Sequence, residues 1–276
     1  MCTSIVINKK KTLVGWNLDI LNMEHRVRPT AEGSIMKQKL TIGLAQYKFI
    51  NKDIPFNLGQ VKKAMESCKG KVDLLCFGES FLQGFDSLSW DFETDKDMAL
   101  SQDCPELKQI CTWSREYDMG VLVGYFEKAN EAIYSSCVLI CDGQVKANYR
   151  RISPGWKELD VDAHYQEGRE VLDFSFKGRD FRIALCGDLW SEGWEQFATE
   201  RVLLWPVYVS FTLEDWKEAE GEYAAQASGV ADTVLMVNSL SDEPDPVSHG
   251  GTFCFEKGEI TQKLPFDEEA VLIVEL

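Results

Sequence analysis

Short apolar runs alternate with longer segments of helical spacing along the chain from residue 40 onward. In the first longer segment, apolar or small residues recur every three to four positions at Val61, Ala64 and Cys68, which predicts an amphipathic helix. A second helix is predicted over residues 214–230, and the stretch rich in Glu and Trp after Cys186 is also expected to be helical. The apolar runs predict strands over residues 40–49, 72–77, 120–128, 133–141, 144–151, 181–186, 202–209, 233–239, 251–266 and 270–276.

The turns between these runs indicate how the strands pair. Asp142-Gly143 separates two apolar runs and is typical of a β-hairpin. Strands that alternate with helices, together with antiparallel hairpins, predict an α/β or α+β sandwich. The pattern is interrupted over residues 28–37, where Pro, Gly and small residues occur together. We therefore expect residues 1–35 to be an N-terminal extension, not a domain of its own, and residues 36–276 to form one domain.

The net charge of the chain limits the kinds of partner that it is expected to bind. The 276 residues include 29 Lys and Arg against 45 Asp and Glu, a formal net charge of −16. Such a field repels phosphate backbones and anionic membrane surfaces, so neither a nucleic acid nor a membrane is expected as a partner. No run reaches the roughly 18 apolar residues of a membrane span. In a secretory signal a basic stretch precedes a longer apolar run, whereas here the apolar residues come before the lysines. A cytoplasmic location is therefore predicted.

Nine cysteines and three histidines are spread along the chain without the close spacing of a zinc site, so no metal and no cofactor are predicted. An isolated cysteine in such a chain is most often a small buried residue in a reducing compartment. A reactive cysteine must therefore be identified from its position.

Polar or reactive side chains follow four of the predicted strands. Glu79 follows VDLLCF, Arg151 follows QVKANY, Cys186 ends FRIALC, and Asn238 follows VLMV. In α/β sheets, ligands bind beyond the carboxyl ends of strands, so these side chains are expected to converge. A cysteine followed by Gly187 in a tight turn can act as a nucleophile, with backbone N–H groups aimed at a developing oxyanion. A helix N-terminus and nearby cations are expected to lower the pKa of such a thiol.

Each of these residues also has a structural interpretation. A cysteine at the end of a strand is usually structural, and a glutamate after a buried strand commonly caps a helix or forms an ion pair. An Arg-Arg pair after a hairpin is usually solvated. From the residues alone, the catalytic and structural interpretations are about equally supported.

The motifs and their order resemble the nitrilase (carbon–nitrogen hydrolase) superfamily over about residues 37–276. The strand LTIGLAQ is followed by VDLLCFGES, NYRR and ALCGDLW, and then by AAQASGVADTVLMVNS and HGGTFCFEKGEI. The resemblance implies a four-layer αββα sandwich, commonly paired as a homodimer. It also implies hydrolysis of a carbon–nitrogen bond through an acyl-enzyme on a cysteine, with a small-molecule amide as the substrate and no cofactor.

The resemblance also assigns roles to individual residues. It implies that Cys186 is the nucleophile and Glu79 the general base, and Glu158 matches best the second glutamate of the family. The oxyanion and binding residues are predicted to be Gly187, Asp188 and Asn238.

One motif departs from the family. The family reads Tyr-Arg-Lys where this chain reads Tyr149-Arg150-Arg151. Arg151 is expected to stabilise negative charge, but it cannot release a proton at neutral pH. Lys157 is the alternative source of the family's ammonium group, although its spacing fits less well.

The amino terminus resembles a different group. Residues 1–29 resemble the start of choloylglycine hydrolases and penicillin V acylases in the opening CTS and the element NLD. That resemblance implies that removal of Met1 would free Cys2 as a nucleophile whose own α-amine acts as base. The arginine of that family is replaced by Trp16, and the rest of the chain matches the other superfamily. A remnant, a fusion or a start at Met36 is therefore the favoured interpretation.

Three functions are consistent with the sequence. The leading hypothesis is a cysteine-dependent amidohydrolase that cleaves a small linear amide or N-carbamoyl compound through an acyl-enzyme on Cys186. The second is a catalytically inactive nitrilase-like protein that binds a metabolite or a protein partner, and Arg151 favours it. The third is a Cys-His hydrolase that uses His164 or His249, which the absence of a G-x-C-x-G turn around the cysteine disfavours.

Overall fold

The computed structural model describes residues 39–242 and 247–276, and residues 39–276 form one compact unit. The expectations for residues 1–35, including the one for Cys2, lie outside the described residues. Within the described ranges, none of the helices combines the length and the apolarity that a membrane crossing requires.

Two six-stranded sheets form the centre of the unit. The first consists of β1 (Thr41–Gln46), β2 (Leu74–Cys76), β3 (Gly120–Ala129), β4 (Ala132–Cys141), β5 (Gln144–Arg150) and β12 (Ala270–Glu275), in the order β12-β1-β2-β3-β4-β5. The second consists of β6 (Leu172–Phe176), β7 (Arg179–Ile183), β8 (Val202–Pro206), β9 (Thr233–Val237), β10 (Phe253–Glu256) and β11 (Glu259–Lys263), in the order β11-β10-β9-β8-β7-β6. Strands β1, β2 and β3 are parallel, and so are β7, β8 and β9. The carboxyl ends of each parallel set therefore lie together at one edge of the sheet.

Helices cover the outer faces of both sheets. They are α1 (Ile54–Cys68), the single turn α2 (Phe92–Asp95), α3 (Pro105–Tyr117) and α4 (Leu213–Val230). The start of α1 is fixed by the carboxylate of Asp53, which accepts a hydrogen bond from the backbone N–H of Phe56. The start of α4 is fixed by a capping box between Thr212 and Asp215.

Alternation along β2 shows why four layers form. Leu74 and Cys76 pack into the cluster that includes Leu204 of β8, so they face the second sheet. Leu75 points the other way and packs with Val61 of α1 and Leu107 of α3. Both faces of the strand are buried, because one meets the other sheet and the other meets helices. The predicted αββα sandwich is confirmed.

Some local predictions are confirmed and others are wrong. The hairpin at Asp142-Gly143 is present, and both residues have the positive φ angles, 53° and 73°, that this turn requires. The stretch after Cys186 is not a continuous helix, because only two short 3₁₀ turns form there, over Cys186–Leu189 and Trp194–Phe197. Strand β6 was not predicted from the sequence, because it is an edge strand that is only half buried and therefore has no strong apolar signal.

Candidate active site

Glu79, Arg151 and Cys186, which lie at the ends of three different strands, come together in the interior. Glu79 follows β2 and is 0% exposed, and Arg151 follows β5 and is 3% exposed. Nη1 of Arg151 donates to both carboxylate oxygens of Glu79, at 2.9 and 3.1 Å. Nη2 of Arg151 lies against Gly187, the residue after Cys186, and the charges of Glu79 and Arg151 both shift the pKa of the Cys186 thiol. The structure therefore brings together the three residues to which the sequence assigned nucleophile, base and cation.

Arg151 is a fixed cation in this cluster. Its Nε donates to the hydroxyl of Ser153 at 2.7 Å, which orients the guanidinium plane. Burial opposes the charged form, but the neighbouring negative charges, chiefly that of Glu79, outweigh it and raise the pKa of Arg151. The guanidinium can therefore stabilise negative charge without exchanging a proton.

Cys186 occupies a strained turn. It begins the 3₁₀ turn with a φ of +37°, a region that residues with a side chain rarely adopt. Its Sγ lies 3.6 Å from the carbonyl oxygen of Tyr208, and its own carbonyl accepts a hydrogen bond from Nε1 of Trp205 at 3.0 Å. Atoms on both sides of the residue therefore hold the turn.

The acidity of the Cys186 thiol differs from the sequence-based expectation. Burial and, after it, the charge of Glu79 raise the pKa of Cys186, Arg151 offsets only part of this, and the resulting pKa is about 12. The prediction of a lowered pKa for Cys186 was wrong. It considered the effects of a cation and a helix end, but not those of burial and the adjacent carboxylate. At neutral pH the sulfur is protonated, so it needs a neighbouring base to become a nucleophile.

Gly187 follows the cysteine at a point of close approach. A Cβ at this position would overlap Nη2 of Arg151 and lie within 3.3 Å of the hydroxyl of Ser153. Only glycine lets the guanidinium lie directly against the turn. The predicted role of the Gly187 N–H in an oxyanion hole stays a prediction.

We expect Gly187→Ala to displace the guanidinium of Arg151 from the turn. The variant should lose about 1–3 kcal/mol of stability, the usual cost of overpacking, and Cys186 should react more slowly with iodoacetamide because its cation has moved. Gly221→Ala on α4, where a Cβ meets no atom within 4 Å, is the matched control. Urea denaturation and peptide-mapped labelling check both effects, and equal behaviour of the two variants would contradict the close approach.

The other two predicted binding residues are buried and hydrogen-bonded within the protein. Asp188 is 2% exposed and accepts hydrogen bonds from four protein donors. Asn238 is fully buried and binds the backbone N–H and carbonyl of Val209 as well as the carbonyl of Gly250. Asn238 therefore joins the segments that follow β8 and β9.

Glu158 and Lys157 do not join the cluster. Glu158 is exposed and has no hydrogen bond to the site among the described residues. Lys157 donates to the carbonyl of Tyr165 at 2.6 Å and pairs with Glu167 at 2.6 Å. Of the two cations that the sequence offered, Arg151 is therefore the one that contacts Glu79.

The two histidines considered for a Cys-His hydrolase are engaged elsewhere. Nδ1 of His164 lies 2.8 Å from Asp162, and Nδ1 of His249 lies 2.6 Å from Asp267. In residues 39–242 and 247–276, no group of three or more His, Cys, Asp or Glu is placed to hold a metal ion.

Sequence reasoning missed two serines of the site. The hydroxyl of Ser135 on β4 donates to Glu79 at 2.7 Å, and Ser153 accepts from Arg151 as described above. Both are nearly fully buried. The polar Ser135-Ser136 pair inside the apolar run of β4 was the only sequence signal that could have indicated this.

Two stacked sheets flanked by helices, with a cysteine at the carboxyl end of a parallel strand, are the architecture of the nitrilase fold. The chain belongs to the carbon-nitrogen hydrolase family, whose profile matches residues 41–276. Members of this family act on carbon–nitrogen bonds other than peptide bonds.

Curated relatives match parts of the chain. An arylacetonitrilase of Hypocrea virens is 29% identical over 104 residues, which are 35% of this chain and 32% of the relative. A glutamine-dependent NAD(+) synthetase of Thermotoga maritima is 26% identical over 162 residues, which are 56% of this chain and 26% of the relative. The chain spans less than half the length of the curated relatives it matches.

Solved structures share the fold. A CN-hydrolase superfamily protein of Xanthomonas campestris, with an arsenic adduct in its active site, has a TM-score of 0.72 at 18% identity and covers 86% of this chain and 90% of its own. A variant of the Nesterenkonia AN1 amidase has a TM-score of 0.68 at 17% identity, covering 86% and 90%. The Acinetobacter baumannii glutamine-dependent NAD+ synthetase has a TM-score of 0.71 at 20% identity and covers 86% of this chain and 45% of its own.

Proposed function

We propose that this protein is a cysteine-dependent amidohydrolase that cleaves a small linear amide or N-carbamoyl compound. The observation that carries the proposal is the convergence of Cys186 with a buried carboxylate and a buried guanidinium. A buried charged pair costs desolvation energy and is a weak source of stability, so its position beside a strained cysteine favours a chemical role.

The proposed reaction begins with transfer of the Cys186 proton to Glu79. The sulfur attacks the carbonyl carbon, and negative charge develops on the carbonyl oxygen near the guanidinium of Arg151 and the N–H of Gly187. Glu79 then gives the proton to the leaving nitrogen, the carbon–nitrogen bond breaks, and the amine leaves a thioester on Cys186. Glu79 next takes a proton from water, the hydroxide attacks the thioester, and the released sulfur is reprotonated.

The raised pKa of the thiol makes Glu79 the proton carrier. With a pKa of about 12, the Cys186 thiol is almost entirely protonated at neutral pH unless a base removes its proton. Arg151 cannot take part in proton transfer, since it stays charged. The family's lysine is thus replaced by a purely electrostatic group, and all the proton transfers pass through one carboxylate.

Arg151→Lys is expected to retain amide turnover within about tenfold of the natural protein, because the positive charge against Glu79 is kept and only hydrogen bonds are lost. Arg151→Met is the control of similar length without charge, and it should lose about 100-fold or more. Steady-state kinetics on a panel of small amides and N-carbamoyl compounds checks the order. Equal turnover in the two variants would contradict an electrostatic role for residue 151.

A catalytically inactive binding protein is the second candidate. The departure that favours it is Arg151 itself, which occupies the family's lysine position. The same kinetic series decides between the two, because an inactive protein would hydrolyse no amide in either the natural form or the Lys variant. The homodimeric state and the cytoplasmic location of this protein stay predictions. Light scattering of the purified protein measures its oligomeric state.

A further inference from the structure

The carboxylate of Asp188 connects two segments that are far apart in sequence. Its Oδ2 accepts from the backbone N–H of Leu185 at 2.8 Å and from the hydroxyl of Tyr149 at 2.6 Å. Its Oδ1 accepts from the backbone N–H groups of Ile152 and Ser153, at 3.0 and 2.8 Å. One buried side chain thus binds the residue before the cysteine and the residues on both sides of Arg151.

The contacts continue from this carboxylate to the cation. Ser153, whose N–H is held by Asp188, accepts the hydrogen bond from Nε of Arg151. Nη1 of Arg151 in turn binds Glu79, and Nη2 lies against Gly187. The position of the guanidinium relative to the sulfur therefore depends on a chain of contacts that begins at Asp188.

The donors around Asp188 are neutral, and none of the four belongs to a cation. Neutral donors stabilise a buried carboxylate less than a cation in an ion pair would. Burial therefore raises the pKa of Asp188 despite its hydrogen bonds. An apolar residue of similar size would leave all four buried donors without an acceptor, at a cost in stability, and it could not hold the two segments together.

We propose that Asp188 is a positioning residue that sets the distance between the guanidinium of Arg151 and the sulfur of Cys186. The proposal rests on the proposed function for its catalytic consequence, but the geometry itself can be tested without a substrate. Asp188 does not contact the reacting atoms, and it acts through Ser153 and Arg151.

The chain offers a closely matched control. Asp95 is also a buried carboxylate, 1% exposed, that accepts backbone N–H groups from Ser89 and Trp90 and the hydroxyl of Tyr165 at 2.6 Å. It has no hydrogen bond to the cysteine or to Arg151. Asp188→Asn and Asp95→Asn therefore remove comparable charges from comparable donor sets, and both are expected to lower stability.

The test measures alkylation of Cys186 by iodoacetamide at pH 9, mapped by peptide mass, in these two variants and the natural protein. In Asp188→Asn the guanidinium is released, so we expect alkylation about tenfold slower, the change in thiolate fraction that one pKa unit produces. Where amide turnover is measurable, kcat should fall about 10- to 100-fold with KM little changed, as expected for misplacement by about 1 Å. Asp95→Asn should leave both quantities unchanged.

The direction of the change separates positioning from direct electrostatics. Removing a negative charge would by itself favour the thiolate and speed alkylation, whereas loss of the cation slows it. Unchanged or faster alkylation in Asp188→Asn, or the same slowing in Asp95→Asn, overturns the proposal.

If Asp188→Asn does not fold, Ser153→Ala tests the next contact between Asp188 and the guanidinium. This variant removes the acceptor for Nε of Arg151 and keeps the backbone N–H that Asp188 binds. Slower alkylation in Ser153→Ala supports the proposal, and an unchanged rate overturns it. Failure of the proposed function has a different signature, namely no amide turnover in the natural protein, and it leaves the alkylation result decisive.

Discussion

Cys186→Ala is expected to lose amide turnover by about 10⁴-fold or more, because it removes the sulfur on which the proposed acyl-enzyme forms. Its melting temperature should stay within about 3 °C, since the change removes a single sulfur atom at a partly buried position. Steady-state kinetics and differential scanning calorimetry measure the two quantities. A purely structural cysteine would give the opposite result, a change in stability without a change in turnover.

Cys111→Ala is the matched control for that variant. Cys111 lies on α3, is also partly buried, and also has a pKa raised by burial. Its replacement should leave turnover unchanged. Retained activity in Cys186→Ala, or equal loss in both variants, would refute the assignment of the nucleophile.

Glu79→Gln is expected to lower the free energy of unfolding by about 3–5 kcal/mol, because it leaves the guanidinium of Arg151 charged and buried without a counter-charge. Amide turnover should be lost as well, since the proton carrier is gone. Urea denaturation followed by tryptophan fluorescence measures the stability. Glu214→Gln is the control, because Glu214 forms an exposed ion pair with Lys217, and that change should be within about 0.5 kcal/mol of the natural protein.

The double variant Glu79→Gln/Arg151→Met separates the two effects. Removing both charges should recover most of the lost stability, because neither member of the buried ion pair is left without its partner. Turnover should not recover. If Glu79→Gln alone is as stable as the natural protein, the ion pair is not buried in the way the structure indicates.

The sequence predicted the architecture well because its signals are local. Alternating apolar runs identified nearly all strands of both sheets, and the Asp142-Gly143 turn identified a hairpin, since period and turn chemistry are properties of neighbouring residues. The edge strand β6 escaped because it is half exposed, and the 3₁₀ turns after Cys186 escaped because Glu and Trp residues resemble a helix in composition.

The sequence also determined which residues follow the ends of strands, and thus that Glu79, Arg151 and Cys186 are the candidates for chemistry. Only the tertiary structure decided how they interact. Glu79 and Arg151 are 72 residues apart in sequence, and whether they touch, how deeply they are buried and which serines hold them depend on the packing of one sheet against another. Burial and the adjacent carboxylate raise the pKa of the thiol where the sequence predicted a lower one, because the free energy of a charge depends on every neighbour in space and not on its neighbours along the chain.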